Sequence, residues 1–445
     1  MEPTVVLPVE PDESRSGEGF RVGMYREHLE EAASLWEQRP ADRENPDLAW
    51  SGLGYDEGRL EAHLDALVLG GDLALAVCRA RALAGDPGEI HAALRVLCRH
   101  ARADLVADVM EGLDPEDADA MDAMAEALAI EMPEAWEAGA AARLADPRWR
   151  RLAAEVVRDR RRPPPAAWRA APGADDPVRA AVVRAIGRGP SASFLTPLLA
   201  DDDAEVRREA ALALLRGGVP DDAARVLAAI RDDAALLPLL GLAGRASATA
   251  WLAARVDNPD ACLALALLGD PAAIPALIGA LAGAAPDDAA IALFTITGAD
   301  LQTSVFVEDV PEPDEWFDDE RAAGAPEAPP GPPRGTVVTG LSTDPAEWQA
   351  WWDAHGEAFV AGQRYRLGRP AGPTSEVASI AGPSLPHRLR TWAAEALVVR
   401  YRMPVAFETT WPVARQRAAL ADMARWAGAQ PFVDGRWYVG AQYVE

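Results

Sequence analysis

The residues able to do chemistry in this sequence are few and scattered. Of six histidines, His28, His63, His91 and His100 fall in helical stretches and His355 and His387 stand alone, and no His-Glu pair recurs at a metal-ligand spacing. No metal site and no cofactor site is therefore expected. Cys78, Cys98 and Cys262 each lie in an apolar stretch without a neighbouring base, so they read as small core residues and not as nucleophiles or a disulfide framework. Ser191, Ser193 and Ser384 lack the strand-turn-helix setting of a serine nucleophile. The glycine pairs Gly52-x-Gly54 and Gly70-Gly71 lack both a preceding strand and a phosphate-loop lysine, because the chain contains no lysine at all. No catalytic residue is assigned, and a non-enzymatic chain is expected.

Recognition is better supplied than catalysis. Trp348, Trp351 and Trp352 are spaced to share one face of a helix, and Arg364, Tyr365 and Arg366 follow closely. Large aromatics and arginine fill cores, but they also anchor interfaces, and this cluster is the candidate partner-binding patch. A second cationic group, Arg148, Arg150, Arg151, Arg158, Arg160, Arg161 and Arg162 around Trp149, suits either an acidic surface or a solvated helix end. From Glu308 to Glu320 there are eight acidic residues and no basic one, with Trp316 and Phe317 among them. That stretch reads as a linker or as a short docking motif.

These residues have to be positioned by helices. The 445-residue chain is 49% hydrophobic but only 6% aromatic, a composition that suits closely packed helices. Tyr25 to Trp36 places Leu29, Ala32, Ala33 and Trp36 at helical spacing, and from about Asp56 Leu60, His63, Leu64 and Leu67 do the same. The stretch from Asp175 to Gly187 recurs from Asp202 to Leu215, with Val178-Arg179 and Val206-Arg207 shifted by 28 residues, and weaker copies begin near Asp232, Asn258 and Asp287. Ser191, Asp221 and Asp270-Pro271 supply helix-start signals between the copies. A helical pair repeated at this period cannot bury its own apolar face and must stack on its neighbours.

The Asp-x-x-Val-Arg-x-x-Ala pattern over residues 173–298 resembles the short HEAT-like repeat of the phycobilin-lyase kind. The resemblance implies a ladder between successive units formed by Asp176 or Asp203 with Arg179 or Arg207. Leu60 to Leu67, Leu293 to Asp300, Trp348 to Trp352 and Arg364 to Pro370 together resemble an uncharacterised bacterial family of HEAT-repeat proteins often encoded beside type VI secretion genes.

The expected fold is all-α: a right-handed α-solenoid of HEAT-like helical pairs with a C-terminal helical unit. Its parts are a disordered tail (1–20), N-terminal helical pairs that start or cap the solenoid (21–165), HEAT-like repeats (166–300), an acidic Pro-rich linker (301–345) and a C-terminal helical domain (346–445). The expected function is a protein-protein interaction scaffold or adaptor, with components or an effector of a type VI secretion assembly as partners. The alternative is a HEAT-like lyase or small-ligand enzyme using the concave groove, yet between Phe194 and Phe294 Trp251 alone supplies an aromatic ring. The formal charge of −27 opposes phosphate-backbone contact and excludes nucleic acid as an expected partner. No apolar run reaches the ~18 residues of a membrane span, so a cytoplasmic chain without membrane insertion is expected.

Overall fold

The computed structural model describes residues 16–136, 146–160, 179–188, 193–230, 233, 236–308, 335–383 and 385–444. They form a mostly helical protein in which successive helices pack in pairs. The chain divides into two compact units, one made of the residues up to Arg245 together with those from Gly372 onward, the other of Ala246–Ala371.

The first unit begins with α1 (Ser16–Glu44), α2 (Gly54–Leu69), α3 (Gly71–Ala84), α4 (Pro87–Arg99), α5 (Ala103–Gly112) and α6 (Ala118–Glu131). It continues through α7 (Arg150–Asp159), α8 (Arg179–Ile186), α9 (Ala204–Gly217), α10 (Pro220–Ile230) and α11 (Leu237–Ala243). Helix α1 packs on α2 and α4, α4 on α6, α6 on α7, and α7 on α8. Leu29, Leu60, Leu64, Leu94, Leu97 and Met124 are buried between them, and many alanines in the same core let the helix axes approach. Helix starts follow the polar cap rule. Asp86 accepts the Glu89 amide at 2.9 Å, Asp117 those of Asp119 and Ala120 at 3.1 Å, and Asp203 that of Glu205 at 2.7 Å.

Helices α17 (Pro373–Ala381), α18 (His387–Tyr401) and α19 (Val413–Gly428) complete this unit. Helix α18 packs on α9, α11 and α1, and α19 packs on α2. Arg39 of α1 donates to the carbonyls of Thr410 and Trp411 at 2.7 and 2.9 Å, and Glu57 of α2 accepts the first amide of α19, from Val413, at 2.6 Å. Glu395 of α18 accepts from Arg188 at 2.8 Å and from Arg216 at 2.6 Å.

The second unit holds α12 (Thr249–Ala253), α13 (Pro259–Leu268), α14 (Ile274–Ala280), α15 (Pro286–Thr297) and α16 (Pro345–His355). Asn258 and Asp270 cap as their sequence positions suggest, accepting the Asp260 and Ala272 amides at 2.8 and 3.0 Å.

The helical expectation holds in the main, and several details change. Strands add to the helices: β1 (Gln302–Glu308) pairs antiparallel with β2 (Gly335–Leu341), and short hairpins join β3 (Tyr365–Arg366) to β4 (Arg369–Pro370) and β5 (Tyr438–Val439) to β6 (Gln442–Tyr443). The stretch assigned to a linker thus starts and ends in strands, because Thr303, Val305, Val307, Thr336, Val337, Val338 and Thr339 are β-branched and favour an extended backbone. Residues 309–334, with Trp316 and Phe317, lie outside the described residues. Helix α1 begins at Ser16, inside the span given to a tail. The expected C-terminal domain is divided, since residues 346–371 fold with the second unit and those from Gly372 with the first. No helix among the described residues is long and apolar enough to cross a membrane.

Candidate functional site

The cluster proposed from sequence is only partly a surface. Trp348 is buried, and its indole N–H donates to the Ser342 carbonyl at 2.7 Å, tying α16 to the end of β2. Arg364 and Arg366 are 0% and 1% exposed. Arg364 donates to the carbonyls of Leu268 and Leu267 at 2.8 and 3.0 Å, and Arg366 to that of Ala266 at 2.9 Å. Both therefore satisfy the free carbonyls at the end of α13, a position where a helix carries negative potential and a guanidinium fork can reach two acceptors. They are corrected from partner-binding residues to internal clamps. Tyr365 is buried too, its hydroxyl accepting the Val360 amide at 2.8 Å.

Trp351 and Trp352 remain half-exposed. Trp351 stacks on His355 at 4.6 Å, and Trp352 leans on Phe359 at 5.3 Å, which in turn lies 4.8 Å from Tyr365. A row of rings thus leads from the surface to the buried hairpin.

The same use of arginine recurs in the first unit. Arg400 donates to Gly241 at 2.7 Å at the end of α11, Arg390 to Ile380 at 2.9 Å at the end of α17, and Arg160 to Ala129 at 3.3 Å at the end of α6. In the arginine run around Trp149, Arg158 is largely buried and binds Asp159, whereas Arg148 and Arg151 hold Asp146 and Asp122 in solvent-exposed pairs. Arg161 and Arg162 lie outside the described residues.

The expected ladder forms with different acids. Arg179 pairs with Asp201, and Arg207 pairs with Asp233 while also donating to the Asp201 carbonyl at 2.8 Å. Asp203 is a helix cap instead, since its carboxylate is already committed to the α9 amides. Asp176 lies outside the described residues.

Two features went unread in the sequence. One is the β1–β2 ribbon, where Val305, Phe306, Val307, Val337 and Val338 are between 42% and 61% exposed. β-Branched residues on both sides of the acidic stretch, alternating before it and consecutive after it, were its signal, masked by the prolines between them. The other is a cleft of about 290 Å³ in the first unit, lined by Arg43, Arg151, Arg158 and Arg184 and by Asp122, Glu126, Glu155 and Asp159, with Trp411 on its wall. Burial pushes the Glu126 and Glu155 carboxyls up, although Arg39 lies 3.4 Å from Glu126 and Arg184 lies 3.6 Å from Glu155. Four cations face four carboxylates, so the charged part of the cleft is a matched ionic network.

The histidines do not assemble into a centre. His28 and His63 approach through their Nδ1 atoms at 2.9 Å, and His91 is buried and stacked on Trp36 at 4.7 Å. Among the described residues no group of three or more His, Cys, Asp or Glu is arranged to hold a metal. Compared with known protein families, with curated proteins and with solved structures, the chain finds no match.

Proposed function

We propose that this chain is a non-enzymatic protein-binding scaffold, a right-handed α-solenoid of HEAT-like pairs that presents an apolar ribbon to a protein partner in the cytoplasm. The observation that carries the reading is the exposure of five large apolar side chains on one short ribbon, with Val305 57% and Val337 61% exposed. Val305, Val307 and Val338 share one face of the ribbon, and an exposed apolar patch of this kind marks an interaction surface. The half-exposed Trp351 and Trp352 add anchors of the residue type that dominates binding energy. The sequence resemblance suggests components or an effector of a bacterial type VI secretion assembly as the partner class.

The test is site-specific photo-crosslinking in the cell of origin, with a benzophenone side chain placed at Phe306 and, separately, at Trp352. The scaffold reading expects a discrete protein adduct from at least one position and none from a control at an exposed polar site such as Asp422. Absence of any adduct from both positions sinks it.

A further inference from the structure

Two parts of the chain are copies of one module. Phe359-Val-Ala-Gly-Gln-Arg-Tyr365 and Phe432-Val-Asp-Gly-Arg-Trp-Tyr438 align without a gap. In both, the glycine, Gly362 or Gly435, holds φ at +80°. In both, the tyrosine hydroxyl accepts a valine amide five residues back, from Val360 at 2.8 Å and from Val433 at 3.1 Å. The phenylalanine lies 4.8 Å from the tyrosine in one copy and 4.9 Å in the other.

The likeness extends to what each hairpin holds. Each turns through two left-handed residues, Leu367-Gly368 and Gly440-Ala441. Their amides donate to Thr295 and Ile296 at 2.7 and 3.0 Å in one copy, and to Val399 and Arg400 at 2.8 Å in the other. Those carbonyls stand three and two residues before the left-handed residue that ends each helix, Gly298 after α15 and Arg402 after α18. Each copy is therefore a helix, a connector, a second helix and a hairpin that clamps the first helix's end.

The copies differ in the connector. Residues 403–412 suffice between α18 and α19, whereas residues 299–344 lie between α15 and α16 and contain the ribbon. The module thus folds without a ribbon, which makes the ribbon an insertion whose apolar residues serve something other than the module's packing. Val305 opposes Val338 on one face, and Phe306 opposes Val337 on the other. Among the described residues each strand has one neighbour and keeps an outer edge of backbone donors and acceptors, and a two-stranded ribbon is marginal by itself in water. The described residues between 246 and 371 carry eleven Asp and Glu against four Arg, of which Arg364 and Arg366 are buried. A second copy of the chain would bring the same charge to the same edge.

Building on the scaffold reading, we infer that the ribbon is an inserted docking element that takes an extended, basic segment of a protein partner as a third strand. Main-chain pairing supplies the attachment, apolar side chains at alternate positions cover Val305 and Val338 or Phe306 and Val337, and lysine or arginine between them meets the acidic field.

The test uses the full-length protein and a fluorescent peptide alternating valine and lysine, with a second peptide of equal charge carrying proline at its central valine. Anisotropy should show saturable binding of the first peptide and affinity about tenfold weaker for the proline peptide, which loses a donor in mid-strand. Val305→Ser with Val338→Ser, both exposed and thus neutral to folding by circular dichroism, should weaken the first peptide about fivefold or more. Failure to bind, equal binding of both peptides, or undiminished binding by the double variant each overturns the inference. Ribbon-dependent self-association in sedimentation without peptide also overturns it, in favour of a second copy as the occupant. An adduct at Phe306 alongside a failed peptide assay would leave the ribbon as the scaffold's binding surface and remove the basic third strand from it.

Discussion

Arg364→Met separates the two roles that its sequence position allowed. If Arg364 belonged to an exposed patch, its loss would leave folding intact and weaken a partner. In the structure it is fully buried and donates to Leu268 at 2.8 Å and Leu267 at 3.0 Å. A hydrogen bond from a charged donor contributes about 1.5–3 kcal/mol, so two amount to about 3–6 kcal/mol. Removing the cation also relieves part of the several kcal/mol spent in desolvating it, which leaves a net loss of about 3 kcal/mol. With a urea slope of about 2 kcal/mol per molar, the midpoint should fall by about 1.5 M. Arg369→Met, at an exposed position of the same hairpin, is the control and should change stability by no more than about 0.5 kcal/mol. Urea titration followed by circular dichroism reads both. A shift for Arg364→Met no larger than the control's would refute the clamp and return Arg364 to the surface.

Three further outcomes follow from the same structure. Gly362→Ala and Gly435→Ala each force a side chain into φ = +80° and should each cost about 1 kcal/mol by urea titration; a large cost for only one would contradict the equivalence of the two hairpins. Burial, with Arg43, Arg390 and Arg39 nearby, lowers His387 to about 4, so the folded protein keeps it neutral while the unfolded chain protonates near 6.5. Stability from this group is present above that unfolded value and is lost as pH falls toward 4; discounted for partial screening it is about 2 kcal/mol, and His387→Gln should flatten the acid limb of the urea midpoint by that amount. An unchanged acid limb would exclude His387 as its source. Burial pushes the Cys78, Cys98 and Cys262 thiols up to about 12, so none should react promptly with Ellman's reagent at mildly alkaline pH until the protein is unfolded. One fast equivalent in the native protein would contradict their packing.

Local signals in the sequence were legible where they were self-contained. The apolar spacing of Leu60, Leu64 and Leu67 marks α2, and Asp270 and Asn258 cap where polar residues precede helices. What could not be read depends on partners distant in the chain. Arg364 looks like any surface cation until α13 supplies its carbonyls, and Asp203 looks like a ladder residue until its own helix claims it. The ribbon was hidden because strand pairing joins residues on either side of a Pro-rich stretch, and a window sees each strand alone. The duplication was hidden because only the hairpins keep matching residues, while the helices they clamp share geometry and not sequence.

The most direct test of the central claim is to remove the ribbon and keep its base. Replacing residues 303–340 by Asn-Gly joins the register partners Gln302 and Leu341 through a two-residue turn and preserves the Ser342 amide's 2.7 Å bond to Leu301. The scaffold account predicts a protein with unchanged helical content and thermal transition that no longer yields the partner captured by photo-crosslinking at Trp352. A truncated protein that captures the same partner undiminished, or one that fails to fold, would contradict it.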